Sequence, residues 1–186
     1  MIKIVPSGDS IIIINNLNNL KSSTLTDYLE KLELNEIEDI ISLKSSVGIL
    51  FNPHKISSSD FIKKTKNLLT NKNLTNSNKL KAWEIPICYD KDFAIDLNEI
   101  STKCKIDVDQ VIKKHNNKTY EVDIVGFLPG FLYLGKLDDS LHLPRKNNPR
   151  THIPEGSIGI AGNQTGIYNI ESPGGWNIIG RTPLRR

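Results

Sequence analysis

The chain has 186 residues, 38% of them hydrophobic and 24% charged, with a formal net charge of +3, figures that fit one globular domain or two small ones with a buried core. Its lysines are scattered among Asp and Glu, which argues against a nucleic-acid partner. No run of about 18 apolar residues exists to span a membrane, and MIKIVPSGDS lacks the charged and apolar regions of a secretory signal, so a cytoplasmic location is expected.

In chain order, residues 2–5 and 11–15 read as strands joined by a turn at Pro6, Ser7, Gly8 and Asp9. Leu25, Tyr28, Leu29 and Leu32 then recur at i, i+3, i+4 and i+7, one apolar helix stripe, with Thr24 placed to cap it and Asp27 three residues on. Residues 37–43 and 47–51 are β-rich runs around a Lys-Ser-Ser turn. A second helix follows Ser57 to Ser59, with Phe61, Ile62, Leu68 and Leu69 facing inward. The order ββαββα predicts an antiparallel sheet with helices on one side, an α+β domain over residues 1–75. TNKNLTNSNKLK, residues 70–81, has no periodicity and reads as a linker.

A different composition follows. Ten of the twelve glycines lie at or after Gly126, and every arginine lies after Leu143. A second domain over residues 82–186 is expected to open with a strand at 83–89, where Pro86 marks an edge or bulge. Two capped helices come next: Asp96 with Glu99 starts one, lined by Leu97, Ile100 and Cys104; Asp107 with Gln110 starts the other, lined by Val108, Val111, Ile112 and His115. Residues 120–125 alternate as a strand. Short β runs between Gly and Pro turns then suggest a small barrel.

Several stretches bear on chemistry. GFLPGFLYLG, residues 126–135, is bent by glycine and proline yet too apolar for a solvated loop; Phe127, Phe131 and Tyr133 would seal a pocket floor while Gly126, Gly130 and Gly135 let the backbone turn. Within it GFLYLGK matches P-loop spacing up to Lys136. Leu137 stands where Ser or Thr should hold magnesium, and bulky side chains fill the space between the glycines, so the match is set aside. PRKNNPR, residues 144–150, presents Arg145 and Arg150 from a proline-stiffened loop, where guanidinium forks suit carboxylates and phosphates; surface solvation or a structural salt bridge is the plainer alternative. GSIGIAGNQTG, residues 156–166, offers Gln164 and backbone amides to a ligand, or is a plain hairpin. In SPGGW the glycines leave the Trp176 ring free to stand over an open surface, although core packing is the commoner role. His115 closes an apolar helix face, the place of a core or capping histidine. The histidines and cysteines show no metal-ligand spacing, so no metal site is expected. Cys88 and Cys104 read as small buried hydrophobes. Together these features describe a concave, mostly apolar site with a few polar anchors for an anion-bearing ligand.

IPICYDKDFAIDLNEI, HNNKTYEVDIVGFLPGFLYLG, PRKNNPR, IPEGSIGIAGNQTGIY and SPGGWNIIGRTP occur in that order. In these blocks the chain resembles the B-type subunit of bacterial ATP-dependent 5-oxoprolinase, a family that includes the KipI kinase inhibitor and allophanate hydrolase subunit 1, and it is similar to one half of the carboxyltransferase module of urea carboxylase. The resemblance is strong over residues 83–183 and loose over 1–70. It implies an α+β N-terminal domain followed by a cyclophilin-like β-barrel. It further implies a heteromeric enzyme with a homologous C-type subunit and an A-type subunit, which opens 5-oxo-L-proline to L-glutamate while ATP, with Mg2+, is hydrolysed. The nucleotide is held by this chain or by a partner. By the same resemblance Arg145, Arg150 and Gln164 would stabilise developing negative charge, and His115 would serve acid–base or positioning work. The resemblance also leaves open a KipI-type inhibitor docking on a sensor histidine kinase, and a non-catalytic metabolite-binding component. Two departures stand out: Leu128 occupies a place where relatives commonly carry alanine, and relatives run on beyond GRTP, so the end at Arg186 reads as a truncated barrel.

Overall fold

A computed structural model describes residues 2–17, 20–70, 74 and 82–184. The chain divides into two compact units, Met1–Lys81 and Ala82–Arg186.

In the first unit, strands β1 (Lys3–Pro6), β2 (Ile11–Asn15), β3 (Ile37–Ser42) and β4 (Val47–Phe51) form an antiparallel sheet in the order β1-β2-β4-β3. Helices α1 (Ser22–Glu30) and α2 (Ser58–Thr70) complete the ββαββα order. Alternation along β2 buries Ile12 and Ile14 completely, where they pack with Leu25 and Leu29 of α1, Ile49 and Phe51 of β4, and Phe61 of α2. The Phe51 and Phe61 rings lie 4.8 Å apart. Thr24 is not the cap of α1: the helix starts two residues earlier, Lys21 holds the cap position without a side-chain bond, and Thr24 is buried inside the first turns. At α2 the Ser57 hydroxyl accepts the Asp60 amide at 3.2 Å and donates to its carboxylate at 2.7 Å, a reciprocal cap. Of the stretch expected to be a linker, residues 71–73 and 75–81 lie outside the described residues.

The second unit contains α3 (Leu97–Cys104), α4 (Val108–Asn116), β5 (Val122–Val125), β6 (Leu132–Leu134), β7 (Arg150–Ile153), β8 (Ser157–Ala161), β9 (Gln164–Ile167), β10 (Ser172–Gly174) and β11 (Asn177–Arg181). Five strands form an antiparallel sheet in the order β11-β8-β9-β6-β5, and β10 pairs with β7 in a second, two-stranded sheet. Helices and antiparallel sheets therefore make up both units. The strand expected at 83–89 shrinks to one bridge, Cys88 with Arg181, and Trp83 is 80% exposed. Pro86 brings no backbone donor to that segment.

The five-stranded sheet is covered on both faces. Ile158, Ile160 and Ile179 join Leu97, Ile100 and Val111 of the helices, together with Leu137 and Leu141. From the opposite face Ala161 and Ile178 join Phe131, Ile153, Tyr168 and Trp176. Asp107 caps α4 as expected, accepting the Gln110 amide at 2.7 Å. Asp96 precedes α3 but makes no side-chain cap bond, because its carboxylate is engaged elsewhere. Cys88 and Cys104 are free and half-buried rather than fully buried, and burial pushes the Cys104 thiol up.

Candidate functional site

The aromatic side of the sheet is built on two facing glycines. Gly159 of β8 pairs with Gly166 of β9, and the missing side chains leave a bed for rings. A Cβ on Gly159 would lie 2.9 Å from Trp176 Cβ; one on Gly166 would lie 3.0 Å from both Phe131 Cζ and Trp176 Cζ3. Phe131 packs edge-on against Tyr133, Tyr168 and Trp176, with centroids 4.8, 5.1 and 5.8 Å away. Phe131 and Trp176 are 1% and 4% exposed, so the Trp176 ring stands within the wall and not over an open surface. Burial pushes the Tyr168 hydroxyl up, while the Trp176 backbone and the charges of Arg145 and Arg150 pull it the other way.

In GFLPGFLYLG the turning is shared differently from expectation. Of its three glycines only Gly130 has a positive φ, 76°, and Phe127 itself takes one, 71°. Gly135 is there for space: a Cβ would meet Asp123 Oδ2 at 2.0 Å. Phe127 is exposed, its ring 5.6 Å from Phe131. Asn169 Nδ2 donates to the Pro129 carbonyl and ties this loop to the segment after β9. Tyr133 is half-buried at the edge of the wall.

The proline-stiffened loop is pinned to the turn before β11. The Lys146 amide donates to the Gly175 carbonyl at 2.7 Å, and Asn177 Nδ2 donates to the Pro144 carbonyl at 3.0 Å. Arg145, between these anchors, is exposed and, among the described residues, has no ion-pair partner; a Cβ on Gly175 would lie 3.8 Å from its own Cβ. Arg150 is committed elsewhere. It forks onto Asp96 through Nη1 at 2.8 Å and Nη2 at 2.6 Å. Burial alone would raise the Asp96 carboxyl, but the bonds from Arg150, Lys146 and the Ile178 amide outweigh it and hold it below the ordinary carboxylate range.

Strand alternation puts Gln164 on the Gly166 face of β9, half-buried, and Thr165 on the other. Phe127, Phe131, Tyr133 and Trp176 therefore pack together on the aromatic side; Gln164 shares that face by alternation, and Arg145 adjoins Gly175 next to Trp176. His115 belongs to the helix side. It is 3% exposed, with Nε2 3.0 Å from Thr165 Oγ1 and Nδ1 3.1 Å from the Tyr89 hydroxyl. Tyr89 in turn reaches Asn116 Oδ1 at 2.6 Å, Thr165 donates to the Gly159 carbonyl, and the Tyr120 hydroxyl donates to the His115 carbonyl. Burial lowers the His115 pKa from 6.5 to about 4, so the ring is neutral and carries one N–H. With the Thr165 proton given to Gly159, Nε2–H donates to Thr165 Oγ1, and the Tyr89 proton is shared between His115 Nδ1 and Asn116 Oδ1.

Sequence reasoning missed Lys146, Tyr168 and the Gly159–Gly166 pair, and it took Asp96 for a cap. An acidic residue ahead of a helix reads that way, and nothing local reveals partners some fifty residues on. Among the described residues no three His, Cys, Asp or Glu side chains converge as a cation site would need.

The family described as carboxyltransferase domain, subdomain C and D, matches residues 2–186. The chain belongs to that family. Over 101 residues it is 48% identical to the 5-oxoprolinase B subunit of Bacillus subtilis, a segment covering 54% of this chain and 42% of that protein. The match thus spans less than half of the relative's length. Among solved structures it is similar to TTHA0988, with a TM-score of 0.79 and 25% identity over 99% of this chain and 35% of that one. It also shares the fold of Kluyveromyces lactis urea carboxylase, with a TM-score of 0.74 and 19% identity over 97% of this chain and 19% of that one. Both compact units fall within what the family matches.

Proposed function

We propose that this chain acts as the B-type component of a 5-oxoprolinase complex, which opens the lactam of 5-oxo-L-proline to L-glutamate at the expense of ATP. The carrying observation is the 48% identity over 101 residues to a protein of that name. The geometry supports it: by strand alternation Gln164 shares the sheet face walled by Phe131, Tyr133 and Trp176, and the exposed Arg145, unpaired among the described residues, adjoins Gly175 beside that wall with its charge acting on Tyr168. Arg145 and Gln164 would supply donors to the substrate, and Phe127 and Tyr133 would flank it. Arg150, already neutralised by Asp96, serves to hold the loop. His115 has both ring nitrogens occupied, so we assign it the positioning of β9 from behind and not proton transfer. The two sheets of the second unit would be parts of a cyclophilin-like barrel, residues 82–186 forming one domain and 1–75 the other.

The described residues show no P-loop-type cradle for Mg2+-ATP. They contain no convergent carboxylate set, and the glycine-lysine run at 130–136 leads out of a strand rather than into a helix, so no row of amides is aimed at a phosphate. We therefore assign the nucleotide and its Mg2+ to a partner, within an assembly that includes the A-type and C-type components. The test is to mix the chain with those two partners and measure ADP release with and without 5-oxoproline. Release should require all three proteins and the lactam, and Arg145→Ala should lower it on the order of 100-fold. Absence of lactam-dependent release from the complete mixture would refute the assignment.

A further inference from the structure

Three cations stand in PRKNNPR, and two are cancelled by carboxylates on the α3 side. Asp96, 2% exposed, receives four donors: Arg150 through both Nη atoms, Lys146 Nζ at 2.8 Å and the Ile178 amide at 2.7 Å. Those contacts use its lone pairs fully. Its own amide donates to the Ile178 carbonyl at 3.0 Å, so the residue joins α3, β11 and the loop. Glu99, one turn into α3, takes Lys146 at 2.8 Å and Lys103 at 2.6 Å. Among the described residues Arg145 pairs with neither acid. Its backbone is nonetheless fixed, because Pro144 and Lys146 on either side are bonded to Asn177 and Gly175.

We propose that Asp96 is a positioning residue: by neutralising Arg150 and Lys146 and clamping their loop, it leaves Arg145 as the single positive charge offered to a ligand that bears one carboxylate. The inference rests on Arg145 as substrate anchor and deepens it by fixing the ligand's charge. A monoanion such as 5-oxoproline matches one guanidinium on a loop whose other two cations are already paired. A dianion would meet one uncompensated cation and leave its second charge without a partner.

Two measurements test this, and they fail separately. The first uses the chain alone. Phenylglyoxal labelling, mapped by mass spectrometry, should modify Arg145 about tenfold faster than Arg150, and Asp96→Asn should bring the two rates within about threefold. Equal reactivity in the unaltered chain would overturn the inference, whatever the reaction turns out to be. The second uses the assembled complex. Asp96→Asn should raise KM for 5-oxoproline about tenfold with kcat changed less than about threefold, and should shift inhibition by glutarate, a dianion, about fivefold in glutarate's favour. Should Asp96→Asn fail to fold, Glu99→Gln, at a side chain 44% exposed, removes one of the two acids that neutralise Lys146 and should move the glutarate preference in the same direction by a smaller amount. An unchanged preference in every folded variant would overturn the proposal. Lack of lactam-dependent turnover by the unaltered complex would instead sink the functional assignment and leave the labelling result to decide the role of Asp96.

Discussion

Gly159 shows how much a missing side chain can determine. A methyl group there would press on Trp176 Cβ at 2.9 Å and on Tyr168 Cε2 at 3.3 Å, and neither is the free end of a flexible chain. Gly159→Ala should therefore cost about 1–3 kcal/mol through overpacking and should loosen the wall beside Arg145. Urea denaturation followed by Trp176 emission would check it; an unchanged midpoint would mean that the rings shift freely. In sequence, the glycines of GSIGIAGNQTG look alike. In the structure they divide by role. Gly162 supplies the positive φ of the β8–β9 hairpin, whereas Gly159 and Gly166 sit in strands and make room for rings. That division depends on which side chain arrives from Phe131 and Trp176, and local composition does not carry it. Arg145 and Arg150 teach the same lesson. Both are legible as guanidinium groups on a stiff loop, but only the position of Asp96 tells the committed one from the one left unpaired among the described residues.

At the scale of elements, the helical stripe of α4 was legible from its spacing, and so was its Asp107 cap. What His115 touches was not, because Thr165 lies fifty residues on in another element. That contact has a pH signature. His115 has a folded pKa of about 4 against 6.5 for the free group. Between those values the unfolded chain binds a proton that the folded chain refuses, so stability is complete above about pH 6.5 and falls as pH drops toward 4. Glu99 and Asp138, each depressed to about 2 by hydrogen bonds, from Lys103 and Ser140 foremost, behave otherwise: their contribution is lost only as pH falls below the ordinary carboxylate range. The interval from about pH 6.5 to 5 thus belongs mainly to His115, and stability should drop there by about 2 kcal/mol. Denaturant melts at the two pH values check this, and in His115→Asn the slope in that interval should flatten. A slope equal to that of the unaltered chain would show that another group titrates. Asp96 illustrates the opposite failure of reading: the pattern for a helix cap is present at α3, and a buried ion pair takes the carboxylate instead.

At the scale of the molecule, the order ββαββα and the break in composition were legible because periodicity and glycine content are properties of long stretches. The segment at 83–89 was not, since its apolar alternation looks like a strand while its pairing is limited to Cys88. The contacts described for the aromatic wall, the Asp96 clamp and the His115 bridge all lie within residues 82–186. Both tryptophans lie there too, Trp83 at 80% exposure and Trp176 at 4%. With Trp83→Phe removing the exposed emitter, residues 82–186 produced alone should show the blue-shifted emission of a buried indole, and should lose it in one cooperative step on adding denaturant. Emission at the wavelength of a solvated indole would mean that the wall does not form without the first 81 residues, and that Arg145 is presented only in the longer chain. A blue-shifted but gradual loss would point to collapse without fixed ring packing, because the edge-on contacts of Phe131 with Tyr133, Tyr168 and Trp176 require one arrangement and not an average over many.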